Sequence, residues 1–290
     1  MVSMLSDSLA IGEIVVGQWT QKRYVVLQTL GSGGFGTVYL VRDISSGECR
    51  ALKVSRDTFS LAREFAVLRK VNQVTGGIAV APKVDCLDDW QHTPGNYSFI
   101  VMEYVKGESL RKLLNHRRFT IQESYSLANL LGTLLHILHS NGYVYCDLKP
   151  ENILYDEQTA VFRLIDFGGV RDMGSAVAQF TPAFDRASHR CGSRRADPGY
   201  DIFALTALMI TLVLGKEPKP VGDKRDLPWE LEALWKKVRQ GSLPDIPYFL
   251  RECDYRLKTA RESFGVRRIV YIAGVLSALI FSLTLVYIVL

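Results

Sequence analysis

The first third of the chain alternates apolar and polar positions in short runs rich in β-branched and aromatic residues. Tyr24–Leu30 (YVVLQTL), Thr37–Val41 (TVYLV) and Arg50–Val54 (RALKV) predict three antiparallel strands, and the sequence GSGGFG separates the first two. From Ser60 to Val71 the apolar spacing becomes helical, and Ser98–Tyr104 (SFIVMEY) reads as a buried strand. After Gly107 helical spacing dominates. Ile121–Ser140 carries Leu127, Leu130, Leu131, Leu134, Leu135 and Leu138 on its apolar stripe. Asp201–Leu214 is apolar nearly all round, which predicts a central buried helix; at 14 residues it is too short to cross a bilayer. Strands first and helices later predict an α+β fold rather than alternating βαβ units. Residues 1–23 carry few signals and read as an N-terminal extension to a folded domain at 24–264.

One further run changes the picture. Ile269–Leu290 is 22 residues without a charge, about 33 Å as a helix. Tyr271 and Tyr287 lie near its ends, where aromatic belts sit, and Arg267 and Arg268 precede it. It predicts a single transmembrane helix with the rest of the chain on the cytoplasmic side, in preference to a core helix, which is rarely apolar all round for this length. No leading hydrophobic segment is visible, so the soluble part is expected to stay where it is made. The 35 basic and 30 acidic residues leave a net charge of +5, which does not by itself argue for nucleic acid. Five scattered cysteines form no CxxC pair and imply a reducing compartment, not a metal or disulfide framework.

Gly31, Ser32, Gly33, Gly34, Phe35, Gly36, Thr37 and Val38 fit G-x-G-x-x-G-x-V between two strands. Glycines let backbone N–H groups approach phosphate oxygens. A dinucleotide-binding fold uses similar spacing but continues into a helix, whereas TVYLV favours a strand. Lys53 sits in an apolar strand, where a cation is costly unless paired, and Glu64 on the next helix is its natural partner. The run Tyr145-Cys146-Asp147-Leu148-Lys149-Pro150-Glu151-Asn152 precedes Asp166-Phe167-Gly168. It combines a carboxylate able to accept a hydroxyl proton (Asp147) with two hard oxygen ligands for Mg²⁺ (Asn152 and Asp166).

These motifs closely resemble the eukaryotic-like (Hanks-type) protein kinases over about residues 24–264. The resemblance implies a bilobal fold that binds ATP and Mg²⁺ and phosphorylates protein substrates. Gly31, Gly33 and Gly36 would cover the phosphates, and Lys53, held by Glu64, would position them. Val38, Ala51 and Leu154 would sandwich adenine. Met102 matches the gatekeeper, with the backbones of Glu103 and Val105 binding the base. Lys149, two residues after the catalytic Asp147, marks serine/threonine specificity. Leu68, Phe167 and Tyr145 would stack as a spine, Asp201 would brace the catalytic loop, and Thr181 would sit beside Asp147 and Lys149. Asp185-Arg186, the stretch Cys191–Asp201 and the lone terminal helix are similar to the small membrane-anchored kinases of spore-forming Gram-positive bacteria. With no residue after Leu290 in this sequence, no extracytoplasmic sensor is expected.

The chain departs from the family pattern twice. Cys146 replaces the arginine that normally meets a phosphorylated activation loop, so activity is expected without phosphorylation there, and Cys146 reads as a small buried filler. Arg186-Ala187-Ser188 replaces A-P-E, removing the glutamate of a buried ion pair and putting the packing of the substrate loop in question. Arg186, Arg190, Arg194 and Arg195 read either as a solvated surface or as a site for acidic substrates or a polyanion such as DNA. Three other readings stay open: a pseudokinase scaffold, a small-molecule phosphotransferase and a membrane-tethered binding module without catalysis.

Overall fold

The computed structural model describes residues 9–75, 80–92, 95–220 and 227–261, so the apolar run at 269–290 lies outside them. No helix among the described residues is long and apolar enough to cross a membrane. The chain divides into two compact units. The first runs to Lys106 and takes in Ile165–Gly168; the second holds Gly107–Leu164 and the chain from Gly169 on.

The first unit is a six-stranded antiparallel sheet with one long helix. Its strands are β1 (Ile14–Val16), β2 (Arg23–Gly33), β3 (Gly36–Asp43), β4 (Cys49–Ser55), β5 (Val84–His92) and β6 (Gly95–Glu103). They lie in the order β1-β2-β3-β4-β6-β5. Alternation sends Tyr24, Val26, Tyr39, Val41, Leu52, Phe99 and Val101 into one apolar cluster. The long helix, α1 (Thr58–Val74), starts at Asp57, whose side chain accepts from Ser60 N. Only Arg56 and Asp57 separate β4 from it. Its buried stripe is Leu61, Glu64, Val67, Leu68 and Val71, so a carboxylate stands among apolar residues.

Two strands escape the sequence pattern. β1 has only three residues, and β5 is interrupted by Asp85, Asp88 and Asp89. Two of the acids hold a turn far away in sequence, at Trp19 and Thr20. Asp88, 2% exposed, accepts from the Trp19 and Thr20 amides and the Thr20 hydroxyl. Trp19 Nε1 donates to Asp89 at 2.9 Å. Leu9 is buried, with its amide on the Tyr39 hydroxyl, and Val15 is fully buried. Residues 9–22 are therefore part of the first unit's core and sheet, not an appendage to it.

The second unit is mainly helical. A small sheet of β7 (Gly107–Ser109), β9 (Ile153–Asp156) and β10 (Val161–Leu164) runs in the order β10-β9-β7. A ribbon pairs β8 (Tyr143–Val144) with β11 (Arg171–Asp172). The helices are α2 (Leu110–His116), α3 (Ile121–Ser140), α4 (Pro198–Leu214), α5 (Trp229–Arg239) and α6 (Ile246–Arg261). A reciprocal capping box, Thr120 with Glu123, starts α3. Asp197 caps α4 with Pro198 in its first turn, and Gly215 at φ +67° ends it. Every residue from Tyr200 to Leu212 is buried, and Thr206 and Thr211 return their hydroxyls to Ile202 O and Ala207 O. This is the central helix that the sequence pattern predicts.

Candidate active site

Each unit assembles one half of the candidate residues. In the first, β2 and β3 stay paired out to Gly33 opposite Gly36, so the glycine-rich segment is a hairpin closed by Gly34 and Phe35 alone. The strand outlasts its apparent end at Leu30 because Ser32 and Thr37 share a cross-strand hydroxyl contact at 3.0 Å. Gly36 has φ +118°, and a Cβ there would meet Val54 O at 2.3 Å, so only glycine fits. Phe35 turns its ring under Lys53, whose Nζ lies 5.8 Å from the ring centre.

Lys53 is 3% exposed. Its Nζ donates to Glu64 at 2.9 and 2.7 Å and to Asp166 Oδ1 at 3.0 Å. Burial disfavours the ammonium, but the Asp166 and Glu64 carboxylates outweigh it and hold Lys53 above the usual lysine value. Asp166 Oδ1 also accepts from Gly168 N at 3.0 Å, which fixes the carboxylate over its own turn. Pairing register puts Val38 opposite Lys53 and Ala51 opposite Met102. Val38, Ala51, Lys53 and Met102 therefore share one sheet face, opposite the apolar core. Glu103 donates its amide to Lys83 O at 2.8 Å, so what it can offer a base is its carbonyl. Val105 follows on the same connection and is buried. Leu154 is the expected adenine neighbour that belongs to the second unit, on β9.

In the second unit Asp147 is clamped. Lys149 Nζ donates to both its oxygens at 2.8 Å, and Asn152 Nδ2 donates to its carbonyl and to Oδ2 at 2.9 Å. The 3₁₀ turn Pro150–Asn152 brings Asn152 back to Asp147. A Cβ at Gly169 would lie 2.5 Å from the Asp147 Cβ, so glycine is needed for the close approach after D-F-G. The backbone of the loop hangs on α4: Asp201, fully buried, accepts from Tyr145 N at 2.8 Å and Cys146 N at 2.9 Å. His139 Nε2 on α3 meets the same carboxylate at 2.8 Å. Cys146 takes φ +64°, unusual for a residue with a side chain. Burial, reinforced by Asp201, pushes its thiol well above the ordinary cysteine value.

The substrate loop compensates for its missing glutamate from an unexpected position. Asp185 is fully buried and accepts from Ser188 N and Oγ, from the Tyr200 hydroxyl at 3.0 Å and from Arg194 Nε at 3.0 Å. Burial raises its pKa, but these donors outweigh it and hold it below the usual carboxylate range. Arg186 grips Asp197 with two nitrogens, at 2.7 and 2.6 Å. Two of the four clustered arginines are thus engaged within the loop, while Arg190 and Arg195 are exposed. Gly169 and His139 were not singled out in the sequence, and Asp185 and Tyr200 stood there only within stretches of family resemblance, with no role assigned. The D-F-G-G doublet is the local signal that pointed to Gly169.

The protein kinase domain family matches residues 24–241, and the chain belongs to that family. Its relatives include the serine/threonine-protein kinase YabT of Bacillus subtilis, 33% identical over 227 residues, which cover 78% of this chain and 66% of that one. The serine/threonine-protein kinase PknA of a Nostoc species is 28% identical over 280 residues, covering 84% and 47%. A probable serine/threonine-protein kinase of Clostridium perfringens is 27% identical over 213 residues, covering 70% and 30%. The chain therefore spans less than two thirds of the length of these relatives. The family uses ATP and Mg²⁺.

Proposed function

We propose that this chain transfers the γ-phosphate of ATP to serine and threonine hydroxyls of proteins at the cytoplasmic face of a membrane. The observation that carries the catalytic part is the buried cation Lys53 held by Glu64 and Asp166 at once. Buried charges cost stability unless fully paired, and a scaffold without phosphate chemistry has no need of this group. The donors suit Mg²⁺: Asp166 offers a carboxylate, and Asn152, with its nitrogen committed to Asp147, offers its amide oxygen. Mg²⁺ bound with ATP neutralises the charge of the phosphates. Lys53 orients the phosphates and Glu64 holds Lys53. Asp147 accepts the proton of the incoming hydroxyl, while Lys149 holds its carboxylate in place.

The membrane part rests on the uncharged run 269–290 with Arg267 and Arg268 before it. A second reading, an exposed site for DNA or another polyanion, is favoured only by exposed Arg190 and Arg195. The test is to incubate the full chain with labelled ATP, Mg²⁺ and a generic basic protein, then to analyse the phosphoamino acids. Phosphoserine and phosphothreonine that vanish with a chelator support the proposal, and no label in any protein overturns it. Sedimentation with membranes tests the anchor. DNA added at low salt tests the second reading.

A further inference from the structure

Helix α6 turns Ile246, Phe249 and Cys253 inward, and a Cβ on Gly132 of α3 would meet its Leu250 at 2.7 Å. The opposite stripe, spaced as i, i+3 and i+7, is Tyr248, Arg251 and Tyr255. Tyr248 is 42% and Tyr255 67% exposed, and the Arg251 guanidinium lies 5.5 Å from the Tyr248 ring centre. Lys237, in the last turn of α5, donates to Glu252 at 3.2 Å, which sets that turn beside the stripe. Lys236 and Arg239 of the same turn are exposed. Of the nearby acids, Asp245 accepts from Tyr248 N at 2.8 Å and Asp254 from Asn129 Nδ2 at 2.7 Å, while exposed Glu232 lies a turn back from Lys236. Exposed tyrosines interleaved with lysine and arginine are the composition of surfaces that sit at headgroup level.

The course of the chain supplies the occupant. Seven residues, 262–268, separate the end of α6 at Arg261 from the uncharged run at 269–290. Eight residue steps reach at most about 30 Å. From Arg256 to Arg268 there are five basic residues and one acid, Glu262, so positive charge rises toward the run. With that run in a bilayer, the α5–α6 face stays within one short tether of the lipid surface, where weak contacts act intramolecularly. We infer that Tyr248, Arg251 and Tyr255 of α6, with Lys236 and Arg239 of α5, form a docking face for anionic phospholipid headgroups and lay α6 along the leaflet. The inference rests on the membrane-anchor reading and names the lipid that this anchor brings to the face. The tyrosines enter the headgroup layer and the cations meet lipid phosphates, each cation contributing about fivefold in affinity.

The test places the full chain in nanodiscs of phosphatidylcholine, alone or mixed with phosphatidylglycerol. Tyrosines of the disc-bound protein are briefly iodinated, and the rates at Tyr248 and Tyr255 are read by peptide mass mapping. Both rates are expected to fall about fivefold or more when phosphatidylglycerol is present. High salt should restore them, because about 1 M salt shortens the screening length to about 3 Å. The triple variant Lys236→Gln, Arg239→Gln and Arg251→Gln should iodinate equally in the two discs. The lipid and salt comparisons need the wild type alone, so they stand even if the variant fails to fold. Equal wild-type rates in the two discs overturn the inference while leaving the anchor intact. A chain that stays with neither disc overturns the anchor reading and the inference with it. Duplex DNA that shields the same tyrosines in phosphatidylcholine discs as strongly as phosphatidylglycerol does would assign the face to nucleic acid and overturn the lipid assignment.

Discussion

Cys146 stands where the family resemblance implies arginine, and its surroundings explain the choice. It packs with Val144, Val177, Ala196 and Tyr200, a cluster in which a guanidinium would lose its hydration unpaired. Its backbone is held by Asp201, so the loop keeps its brace while the side chain becomes filler. The thiol is buried and kept neutral, whereas Cys49 is exposed. Alkylation of the native protein is therefore expected to mark Cys49 and spare Cys146, as read by peptide mass mapping; equal labelling would refute the buried assignment. Lys53 gives a second residue-scale prediction. Lys53→Met should abolish phosphate transfer and, by leaving Glu64 buried and unpaired, destabilise the first unit by about 3–5 kcal/mol in denaturant unfolding. Lys53→Met with Glu64→Gln should cost less than the sum of the two single changes. The core chemistry was legible in the sequence because Asp147, Lys149 and Asn152 lie within one turn of chain. The brace was legible only by family resemblance, since Asp201 is far from the loop it holds.

At the scale of elements, the activation segment is pinned without a phosphate. Gly174 N donates to Ala196 O at 2.7 Å, Ala196 N to Ser175 O at 2.8 Å and Val177 N to Arg194 O at 2.9 Å. This short ladder, the apolar cluster around Cys146 and the Asp185–Arg194 and Arg186–Asp197 pairs hold both ends of the loop. Ser175→Ala and Ser175→Asp are both expected to change turnover less than about twofold, which corresponds to under roughly 0.5 kcal/mol, a normal surface effect. A large change in either would show that loop phosphorylation matters after all. The sequence revealed the lost glutamate at position 188 but not its substitute. Asp185 lies three residues earlier, and its partners Arg194 and Tyr200 meet it only through folding.

For the molecule as a whole, the α+β order was legible because long periodic runs dominate both units. The edges were not: β1 is too short to show a period, and β5 carries acids whose purpose depends on a distant turn. Asp88→Ala should orphan the Trp19 and Thr20 amides and destabilise the first unit by about 1–3 kcal/mol, measured by thermal or denaturant unfolding; an unchanged midpoint would show that residues 9–22 are dispensable. We propose that this chain is an active kinase with Asp147 as its base. The most direct measurement is the rate of labelled phosphate transfer from ATP, with Mg²⁺, to protein by wild type and by Asp147→Asn. Serine and threonine labelling by the wild type is expected to fall about 100-fold or more in the variant. Equal rates in the two proteins would contradict it.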